Sequence, residues 1–594
     1  MPIATEPLTR SRRATLLVLS TVAALARFVP LSKGPWDWDE VLFCSAIGDY
    51  DVTAHYPHPP GFPLYIFLAK LARFFTATDF HALQTINVLA GMAVLPVLFW
   101  VARSLRFSFW PALVAASLFA FLPNVWFFGG TGFSDVPAMV LFLAAIAAYL
   151  GAGTSARKYA IASVLFGAAL LVRPQNALVA VFPWTIATLR FVRAREWRPV
   201  IAGTLIAVAI AMAGYGLAAW ATGFTDYYHA LVNHSRYVRH ADSVASDWRA
   251  PLHEVLLIQL DPYHAGKVSI LVNLLALLGV LRGPRNTVLE TLFTFAPFFL
   301  FAALVVNPLG SSRFSLNYMA GIILLTTLGI FAIADFFPRA RLPIAFAFTF
   351  LIAGRFIYWV LPAFEQPRTT ESAPVQAVQW VAKHVPKTST IFMDESIWPW
   401  ARYYIRDHEL VHVFSYPDIV RHDDVRDGWY VRMNRSSIDS ARHFIRPRNR
   451  TWNIVTPRAF EASVLPAAHM AAFTDGWYNT EGDEHLQWRW SKQRAFMELP
   501  GIGGTGELLL VFSVPQKELK RSSRVSFFWN GNLVTTYTTP ASDNELTLRL
   551  RSREDGPNVL GIYCHDAFVP NNVGIGDDGR TLGIQFWSWR WRRL

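Results

Sequence analysis

The sequence predicts a polytopic α-helical membrane protein that carries an α/β domain and a β-sandwich of jelly-roll type at its C-terminal end. The chain of 594 residues is 53% hydrophobic and only 16% charged, a composition typical of membrane proteins. Apolar runs of spanning length fill the sequence up to about residue 363. Beyond that point the apolar segments become short, and from residue 476 onward they take the spacing of strands.

Eleven apolar runs, separated by short polar or basic breaks, predict about eleven transmembrane helices. A helix needs about 20 residues to cross the hydrocarbon core, so the shorter runs must tilt or lie between others. The runs are 14–32, 82–102, 109–128, 134–152, 158–172, 175–190, 199–222, 267–281, 288–306, 316–335 and 342–362.

Basic residues concentrate in alternate breaks, as Arg12 and Arg13 do before the first run and Arg103 and Arg106 after the second. By the positive-inside rule these breaks and the N-terminus are cytoplasmic. An odd number of spans then places the 33–81 loop and everything after about residue 363 outside the cytoplasm. We therefore predict a multi-pass protein of the inner or plasma membrane with extracytoplasmic C-terminal domains.

The stretch 61–75 tests this orientation, because a further span there would reverse every later loop. It is short and is interrupted by Lys70 and Arg73, so we predict an amphipathic helix that lies in the membrane interface. The first run lacks a small-residue cleavage pattern at its end, which indicates a retained helix rather than a signal peptide.

The formal net charge of +12 comes mainly from the cytoplasmic clusters and from a basic tail at Arg590, Arg592 and Arg593. A charge of this origin argues against nucleic-acid binding, and we expect no nucleic-acid partner. Both cysteines, Cys44 and Cys564, fall on the predicted outer side, where two distant thiols are more often isolated buried residues than a disulfide.

Residues 364–475 predict an extracytoplasmic α/β domain, which follows the transmembrane module of residues 1–363. Short segments with helical and strand spacing alternate here, as they do in an α/β layer. The predicted helices are Val375–His384, Ile397–Ile405 and Ile438–Phe444, and the predicted strands are Thr390–Met393, Leu410–Phe414 and Trp452–Thr456.

Residues 476–594 predict an extracytoplasmic β-sandwich of jelly-roll type, because their apolar residues alternate or run at strand length. Asn530-Gly531 is a strong signal for a two-residue hairpin turn. The predicted strands are Glu507–Val514, Val525–Trp529, Asn532–Tyr537, Glu545–Leu550 and Val559–Tyr563.

This sandwich is rich in tryptophan, and two interpretations of that richness stay open. The indole faces can stack on sugar rings, which would make the domain carbohydrate-binding. They can equally fill the core or anchor the domain at the membrane interface. The residues concerned are Trp477, Trp488, Trp490, Trp529, Trp587, Trp589 and Trp591.

The acidic pair Asp39-Glu40 follows the first apolar run and is the first candidate for chemistry. Ionisable residues at the mouth of a membrane segment are unfavourable unless they are paired or functional. In the same loop, prolines between His58 and Tyr65 fix the backbone and therefore the height of the acids against the membrane. One carboxylate can act as a general base on an acceptor hydroxyl, or both acids can simply cap the helix that follows.

A second acid, Asp135, begins another apolar run on the same predicted side. Ser134-Asp135 by itself is typical of a helix N-cap, but two acids on one face of the membrane favour a functional site. A divalent metal, Mg or Mn, held by Asp39, Glu40 or Asp135 stays open. The outer histidines lack the spacing of a zinc site.

Positive charge on this outer face is scarce, so each cation there is a candidate partner for a lipid phosphate. Arginine suits that role because its planar fork can bind two oxygens. The loop 223–266 also offers a second interpretation, a membrane-surface helix that contacts anionic head groups. The outer cations are Arg173, Arg236, Arg239, Arg249, Lys267 and Arg313.

The sequence contains no phosphate-binding loop, no nucleophile-elbow motif and no dinucleotide-binding fingerprint in a suitable context. A nucleotide-driven pump is therefore disfavoured.

The order of these motifs resembles the GT-C superfamily of integral-membrane glycosyltransferases, in particular the branch of protein O-mannosyltransferases and the lipid A aminoarabinose transferase. The resemblance rests on Trp38–Phe43 after the first run, His58–Gly61 before the interfacial helix, and Ser134-Asp135 in the second outer loop. It covers about the first two thirds of the chain. It implies transfer of a hexose or pentose from a polyprenyl-phosphate donor to an extracytoplasmic glycan, lipid or protein acceptor, with inversion at the anomeric carbon.

The resemblance also implies roles for single residues. Asp39 would be the general base, Glu40 and Asp135 would orient the site or the acceptor, and Arg313 would meet the carrier phosphate. We expect the other contacts in the same loops to come from further residues, Arg236 and Arg239 for the carrier phosphate and Asp37, His58 and Tyr65 for the substrate.

Two other functions remain as alternatives. A transporter or flippase of lipid-linked sugar predicts ionisable residues at mid-membrane and matching broken helices in the two halves of the chain. Here the acids lie in loops, and the halves show no evident inverted repeat. A non-catalytic glycan-binding scaffold of the cell envelope would depend on the sandwich.

Overall fold

The computed structural model describes residues 8–241, 252–305, 312–433, 441–446, 460–482, 487–574 and 576–594. The chain divides into two compact units. The first, here called the helical unit, covers Met1–Glu371, and the second, here called the sheet unit, begins at Ser372.

The helical unit contains sixteen α-helices among its described residues. They are α1 (Arg10–Leu25), α2 (Trp38–Gly48), α3 (Pro63–Arg73), α4 (Asp79–Ser104), α5 (Phe109–Ala120), α6 (Pro123–Phe128), α7 (Asp135–Gly151), α8 (Ala156–Leu170), α9 (Val181–Arg193), α10 (Trp197–Thr222), α11 (Phe224–Ala241), α12 (Leu252–Leu260), α13 (Lys267–Arg282), α14 (Arg285–Leu304), α15 (Leu316–Ala334) and α16 (Arg341–Thr369).

Every apolar run that the sequence predicts as a span contains helix. The run 109–128 is divided between α5 and α6 at Pro123, because proline cannot continue a preceding helix but suits the first turn of a new one. Five helices in the described part of the chain are long and apolar enough to cross a membrane, and the count of about eleven spans stays a prediction. The five stretches are Asp79–Ser104, Trp197–Thr222, Arg285–Leu304, Ser312–Ala334 and Pro338–His384, the last of which extends beyond the end of α16 at Thr369.

Two short helices occupy the loop that follows α1. Helix α2 begins after Asp37, whose side chain forms a capping box with Glu40. Helix α3 has Pro63 in its first turn and basic residues in its last turn. It buries Tyr65, Ile66 and Ala69 along one side, so the predicted amphipathic helix is present.

Helices α13 and α15 approach each other closely, and this contact positions the start of α15. A Cβ on Gly279 would lie 1.9 Å from the carbonyl oxygen of Leu325, and one on Gly329 would lie 1.9 Å from that of Leu275. Only glycine permits this separation of the two backbones. The 3₁₀ turn Ser312–Ser315, which leads into α15, is thereby held on a well-packed helix pair.

The first part of the sheet unit is an α/β layer with a five-stranded sheet in the order β2-β1-β3-β5-β4. Strands β1, β2 and β3 are parallel to one another, whereas β5 is antiparallel to β3 and to β4. The elements are α17 (Ala373–His384), β1 (Ile391–Asp394), α18 (Trp398–Tyr404), β2 (Leu410–Val413), α19 (Tyr416–Val420), β3 (Trp429–Met433), β4 (Arg442–Ile445) and β5 (Glu461–Pro466).

Four of the six elements predicted for this layer are confirmed, as α17, β1, α18 and β2. The predicted helix Ile438–Phe444 is wrong in its described part, because Arg442–Ile445 forms β4, which pairs with β5. Tertiary pairing overrides the local helical spacing there. The predicted strand Trp452–Thr456 lies outside the described residues.

The rest of the sheet unit is a sandwich of two antiparallel five-stranded sheets, in the orders β13-β10-β15-β8-β7 and β12-β11-β14-β9-β6. Strands β8 to β15 form two four-stranded sets, β8-β15-β10-β13 and β9-β14-β11-β12, which is the strand order of an eight-stranded jelly roll and confirms that prediction. The elements are β6 (Ala472–Phe473), β7 (Trp477–Gly482), β8 (Gln487–Ser491), β9 (Arg494–Leu499), β10 (Thr505–Ser513), α20 (Gln516–Leu519), β11 (Arg524–Trp529), β12 (Asn532–Thr538), β13 (Asp543–Arg551), β14 (Asn558–Cys564), α21 (Pro570–Val573) and β15 (Gln585–Arg593).

The Asn530-Gly531 turn connects β11 to β12 as the sequence predicts, and both residues have positive φ, at 52° and 88°. The boundary between the α/β domain at 364–475 and the sandwich at 476–594 stays a prediction. Both cysteines are free and buried.

Several tryptophans of the sandwich belong to its core. Trp529 is 8% exposed and stacks on Trp591, with ring centroids 6.0 Å apart. Trp477 and Trp589 pack against the same cluster. These four support the core interpretation, and sugar contact by the sandwich stays a prediction.

Candidate active site

Asp37, Asp39 and Glu40 lie together at the start of α2 but have different surroundings. The Asp37 carboxylate accepts a hydrogen bond from the Asp39 backbone N–H at 2.9 Å, so Asp37 is the N-cap of the helix. The capping interpretation, which the sequence offered for Asp39 and Glu40, holds for Glu40 as the partner in the capping box, whereas the N-cap itself is Asp37. Asp39 directs its carboxylate away from the cap and toward an arginine.

That arginine is Arg313, in the turn before α15. Its Nη2 lies 2.6 Å from Asp39 Oδ2, and the two side chains are 13% and 20% exposed. The guanidinium also lies over the Phe133 ring, 4.6 Å from its centroid. An aromatic ring on one side and a carboxylate on another fix the guanidinium, whereas the Arg313 and Asp39 side chains as a whole stay partly exposed.

A second pair of opposite charges lies deeper. Arg173 Nη2 is 2.8 Å from Asp135 Oδ2, with side chains only 5% and 7% exposed. Arg173 Nε donates to Ser134 Oγ at 2.9 Å. Asp135 occupies the first turn of α7, where the helix dipole also favours a negative charge.

Glu40 connects the two loops that carry these pairs. One carboxylate oxygen accepts from the backbone N–H groups of Trp36 at 2.8 Å and Asp37 at 3.1 Å, and the other accepts from Gly132 N–H at 2.7 Å. Glu40 is 1% exposed. A carboxylate used in this way holds Asp39 at a fixed distance from the loop that precedes Asp135.

Tyr65 supports the same connection from α3. Its hydroxyl donates to the carbonyl of Gly132 at 2.8 Å and accepts from Asn87 Nδ2 at 3.0 Å. The side chain is 0% exposed. Tyr65 therefore helps to position the Gly132 loop of the site.

His58 stands beside Asp39. Its Nδ1 lies 3.8 Å from Asp39 Oδ1, and its ring packs against those of Phe62 and Phe43, with centroids 4.7 and 5.6 Å away. The ring of His234, on α11, lies 5.9 Å from that of His58. The proline-rich loop thus presents His58 at the same opening as Asp39.

Helix α11 is anchored to this proline-rich loop. The Tyr227 hydroxyl donates to the carbonyl of Pro60 at 2.8 Å. Arg236 and Arg239 lie further along α11 with exposed side chains, whereas Arg313 is largely buried against Asp39. The carrier-phosphate role of Arg236 and Arg239 stays a prediction.

The protonation of the neighbouring acids differs. Burial acts to raise the pKa of Asp39, but the positive charge of Arg313 outweighs it and holds that pKa below its ordinary value. Burial raises the pKa of Glu40 to about 8, although the N–H groups of Gly132 and Trp36 act to lower it. The positive charge of Arg313 thus keeps Asp39 ionised at neutral pH.

His58 is neutral in the same surroundings. Burial lowers its pKa to about 3, although the Asp39 carboxylate acts to raise it. A neutral imidazole can donate from one ring nitrogen and accept at the other. His58 can therefore orient a hydroxyl group beside Asp39 without adding charge.

The donor set does not fit a bound divalent metal. Among the described residues no group of three or more His, Cys, Asp and Glu side chains is arranged to hold a metal ion. Asp39 and Asp135 each have an arginine as partner, and Glu40 accepts from three backbone N–H groups. We derive no step through a metal.

The structure brings together several residues that the sequence singled out, gives Arg173 a partner and adds His234. Arg173 is among the outer cations of the sequence, but its pairing with Asp135 becomes visible only in the fold. His234 contacts both His58 and His55, with ring centroids 5.9 and 6.0 Å away. The aromatic and basic character of the loop 223–266 is the only sequence signal for His234.

The arrangement has a definite chemical capacity. Asp39 can accept a proton from a hydroxyl group, and Arg313 can bind oxygens of a phosphate group. The two side chains meet at a partly accessible position, and the buried Arg173–Asp135 pair lies behind them.

No protein-family model and no curated protein matches the sequence. Among solved structures, the chain is similar to an oligosaccharyltransferase from Archaeoglobus fulgidus tethered to an acceptor peptide, with 11% identity over 71% of this chain and 69% of that one and a TM-score of 0.47. It is similar to ArnT from Cupriavidus metallidurans bound to undecaprenyl phosphate, with 10% identity over 77% and 98% of the chains and a TM-score of 0.46.

The arabinofuranosyltransferase AftD from Mycobacteria gives 11% identity over 99% of this chain and 63% of that one, with a TM-score of 0.44.

Proposed function

We propose that this chain is a membrane glycosyltransferase that moves a sugar from a polyprenyl-phosphate carrier to an acceptor hydroxyl group, with Asp39 as general base. The observation that carries the proposal is the contact between Asp39 and Arg313, at 2.6 Å, in a partly accessible position. A carboxylate beside a guanidinium supplies the two functions that the reaction needs, a proton acceptor and a phosphate ligand.

The proposed step balances as follows. The acceptor oxygen attacks the anomeric carbon from the face opposite the phosphate, and the bond between that carbon and the phosphate oxygen breaks. The electron pair of the broken bond stays on the phosphate, and the hydroxyl proton passes to Asp39. Attack from the opposite face inverts the anomeric centre, and the products are a glycosylated acceptor and polyprenyl phosphate.

Arg313 has a second effect in this proposal, because without donor it is engaged by Asp39. A carboxylate held by a guanidinium is a weak base. A donor phosphate competes for the same guanidinium through two parallel hydrogen bonds, and Asp39 then loses its positive neighbour. Its pKa rises, so Asp39 becomes a stronger base only when the donor is bound.

The surrounding residues position this pair. Arg173 and Asp135 keep a compensated charge pair behind the site, and Glu40 fixes the distance between the two loops. We assign His58 to the acceptor hydroxyl, because it lies beside Asp39 and is neutral. The extracytoplasmic orientation of the site belongs to the proposal and rests on the alternation of basic loops in the sequence.

The proposal is tested with the full chain in lipid nanodiscs. The donors are polyprenyl phosphates that carry radiolabelled mannose, glucose or arabinose, supplied one at a time, and the readout is the release of polyprenyl phosphate. We expect turnover with at least one donor and a loss of about 100- to 10,000-fold in Asp39→Asn, the range that positioned proton transfer contributes.

Asp49→Asn is the matched control, because Asp49 is an exposed acid in the same loop, at the end of α2. It should keep full turnover. Turnover by Asp39→Asn at the wild-type rate, or no turnover by the wild type with any of the three donors, would contradict the proposal.

A further inference from the structure

The parallel strands of the α/β sheet end together along one edge. Strands β1, β2 and β3 run in the same direction, so their carboxyl ends meet at one side of the sheet. In open α/β sheets ligands bind outside the carboxyl ends of the strands. Asp394 ends β1 at this edge and Glu395-Ser396 follows it, and Phe414 follows β2.

Three neighbouring rings stand at this edge and are here called the aromatic platform: Trp398, His412 and Phe414. The rings of Trp398 and His412 are nearly parallel, at 18°, with centroids 4.5 Å apart. The ring of Phe414 is tilted by 53° against that of His412, with centroids 4.4 Å apart. The Arg402 guanidinium lies over the Trp398 ring, 5.7 Å from its centroid.

The outermost ring of the aromatic platform is open to the surroundings. Phe414 is 81% exposed, an unusual state for a phenyl ring. In the sandwich, by contrast, Trp529 is 8% exposed and belongs to the core. An exposed aromatic ring beside a stacked pair is therefore a feature of the α/β layer.

A carboxylate stands beside the rings. Glu395 Oε2 lies 2.5 Å from His412 Nε2, and its side chain is 56% exposed. This contact fixes the edge of the middle ring and keeps an acceptor for hydroxyl groups next to the platform. The next acid, Asp394, is held by local bonds, accepting from Ser396 N–H at 2.9 Å and from the Tyr430 hydroxyl at 3.4 Å.

We propose that the aromatic platform is a carbohydrate-binding site, in which the C–H face of a sugar ring lies on Phe414 and sugar hydroxyls donate to Glu395. A neutral sugar fits both features at once, because one face of its ring is apolar and its rim carries hydroxyl groups. The Glu395 carboxylate disfavours a phosphate or an anionic lipid head group at the same place. That the bound sugar belongs to the acceptor glycan rests on the proposed function, whereas sugar binding itself does not.

The test uses the full chain in nanodiscs and saturation-transfer difference NMR, with the methyl glycosides of mannose, glucose, galactose and arabinose as probes. We expect transfer to the C–H protons of at least one probe in the wild type. It should fall at least fivefold in Phe414→Ala and be retained in Phe414→Trp, which keeps a flat ring. Because Phe414 is exposed, its truncation should leave the melting temperature within about 2 °C of the wild type.

Two further variants separate this site from others. Leu533→Ala removes an exposed apolar side chain of the sandwich that is 58% exposed, and it should not change the transfer. Asp39→Asn should also keep it. Signals that disappear in Asp39→Asn would place the sugar at the candidate active site and overturn the proposal.

The proposal is also overturned if no probe receives saturation in the wild type, or if Phe414→Ala gives the same signal as the wild type. Failure of the transferase assay together with retained sugar binding would remove the proposed function and leave this site standing.

Discussion

The helical unit contains two acid–arginine pairs that differ in accessibility. In the Asp39–Arg313 pair the side chains are 20% and 13% exposed, whereas in the Asp135–Arg173 pair they are 7% and 5% exposed. Arg173 has an additional bond to Ser134. We propose that the first pair exchanges its partner for a ligand and that the second is held in place by the fold.

This difference in exposure distinguishes the pair that we assign to the reaction from the pair that we assign to the support of the fold. A buried ion pair contributes little net stability, but removing one partner leaves an uncompensated charge in a medium of low dielectric constant. A partly exposed pair can be opened with a smaller penalty, because water or a ligand replaces the lost partner. We therefore assign turnover to Asp39 and Arg313 and structural support to Asp135 and Arg173.

The largest expected effect is that of Asp39→Asn on turnover. We expect kcat to fall by about 1,000-fold, because the amide cannot take the proton of the acceptor. The melting temperature should stay close to that of the wild type, since Asp39 is partly exposed and Asp37 caps the helix. Kinetics and thermal unfolding of the same preparation would show both. A stability loss as large as the activity loss would make Asp39 a structural residue.

Asp135→Asn should affect mainly the stability of the protein, in contrast to Asp39→Asn, which should affect mainly turnover. The change leaves Arg173 buried without its carboxylate, which lowers the free energy of unfolding by about 3–5 kcal/mol. Thermal unfolding in nanodiscs measures this loss. The control is Glu290→Gln, which breaks the more exposed contact of Glu290 with Arg106 and should lower the free energy by no more than about 1 kcal/mol. Equal losses in the two variants would remove the distinction between buried and accessible pairs.

Arg313→Lys should give a smaller and more selective change. Lysine keeps the positive charge but loses the planar fork, so KM for the polyprenyl-phosphate donor should rise about tenfold, equivalent to about 1.4 kcal/mol. KM for the acceptor should change little. Steady-state kinetics with each substrate varied in turn measures the split, and a rise confined to the acceptor KM would contradict the phosphate role of Arg313.

Much of the fold follows from sequence periodicity, and the sandwich shows why. The turn at Asn530-Gly531 and the strands around it are encoded locally, so they are predicted correctly. The segment at Arg442–Ile445 is not, because it becomes a strand only by pairing with β5. Local spacing carries no information about that partner.

The features of the candidate site also divide into those that the sequence predicts and those that only the fold reveals. Asp39, Asp135 and Arg313 are visible in the sequence because charge is rare beside apolar runs. The pairing of Arg173 with Asp135 and the bond of Glu40 to Gly132 depend on how loops distant in sequence meet, and no spacing rule supplies that. The tertiary fold therefore gives Glu40 a positioning task that its sequence neighbours do not reveal.

The pH dependence of kcat and of kcat/KM in the wild type tests most directly whether the donor releases Asp39 from Arg313. The pH profile of kcat/KM for the polyprenyl-phosphate donor reports the enzyme without donor. In that state Arg313 holds the pKa of Asp39 below its ordinary value, so kcat/KM should stay level down to about pH 4. The profile of kcat reports the complex, in which Asp39 has lost its positive neighbour. As the pH is lowered, we predict that kcat begins to decline at a pH at least one unit higher than the pH at which kcat/KM declines. Acid limbs of the two profiles that coincide would contradict the account.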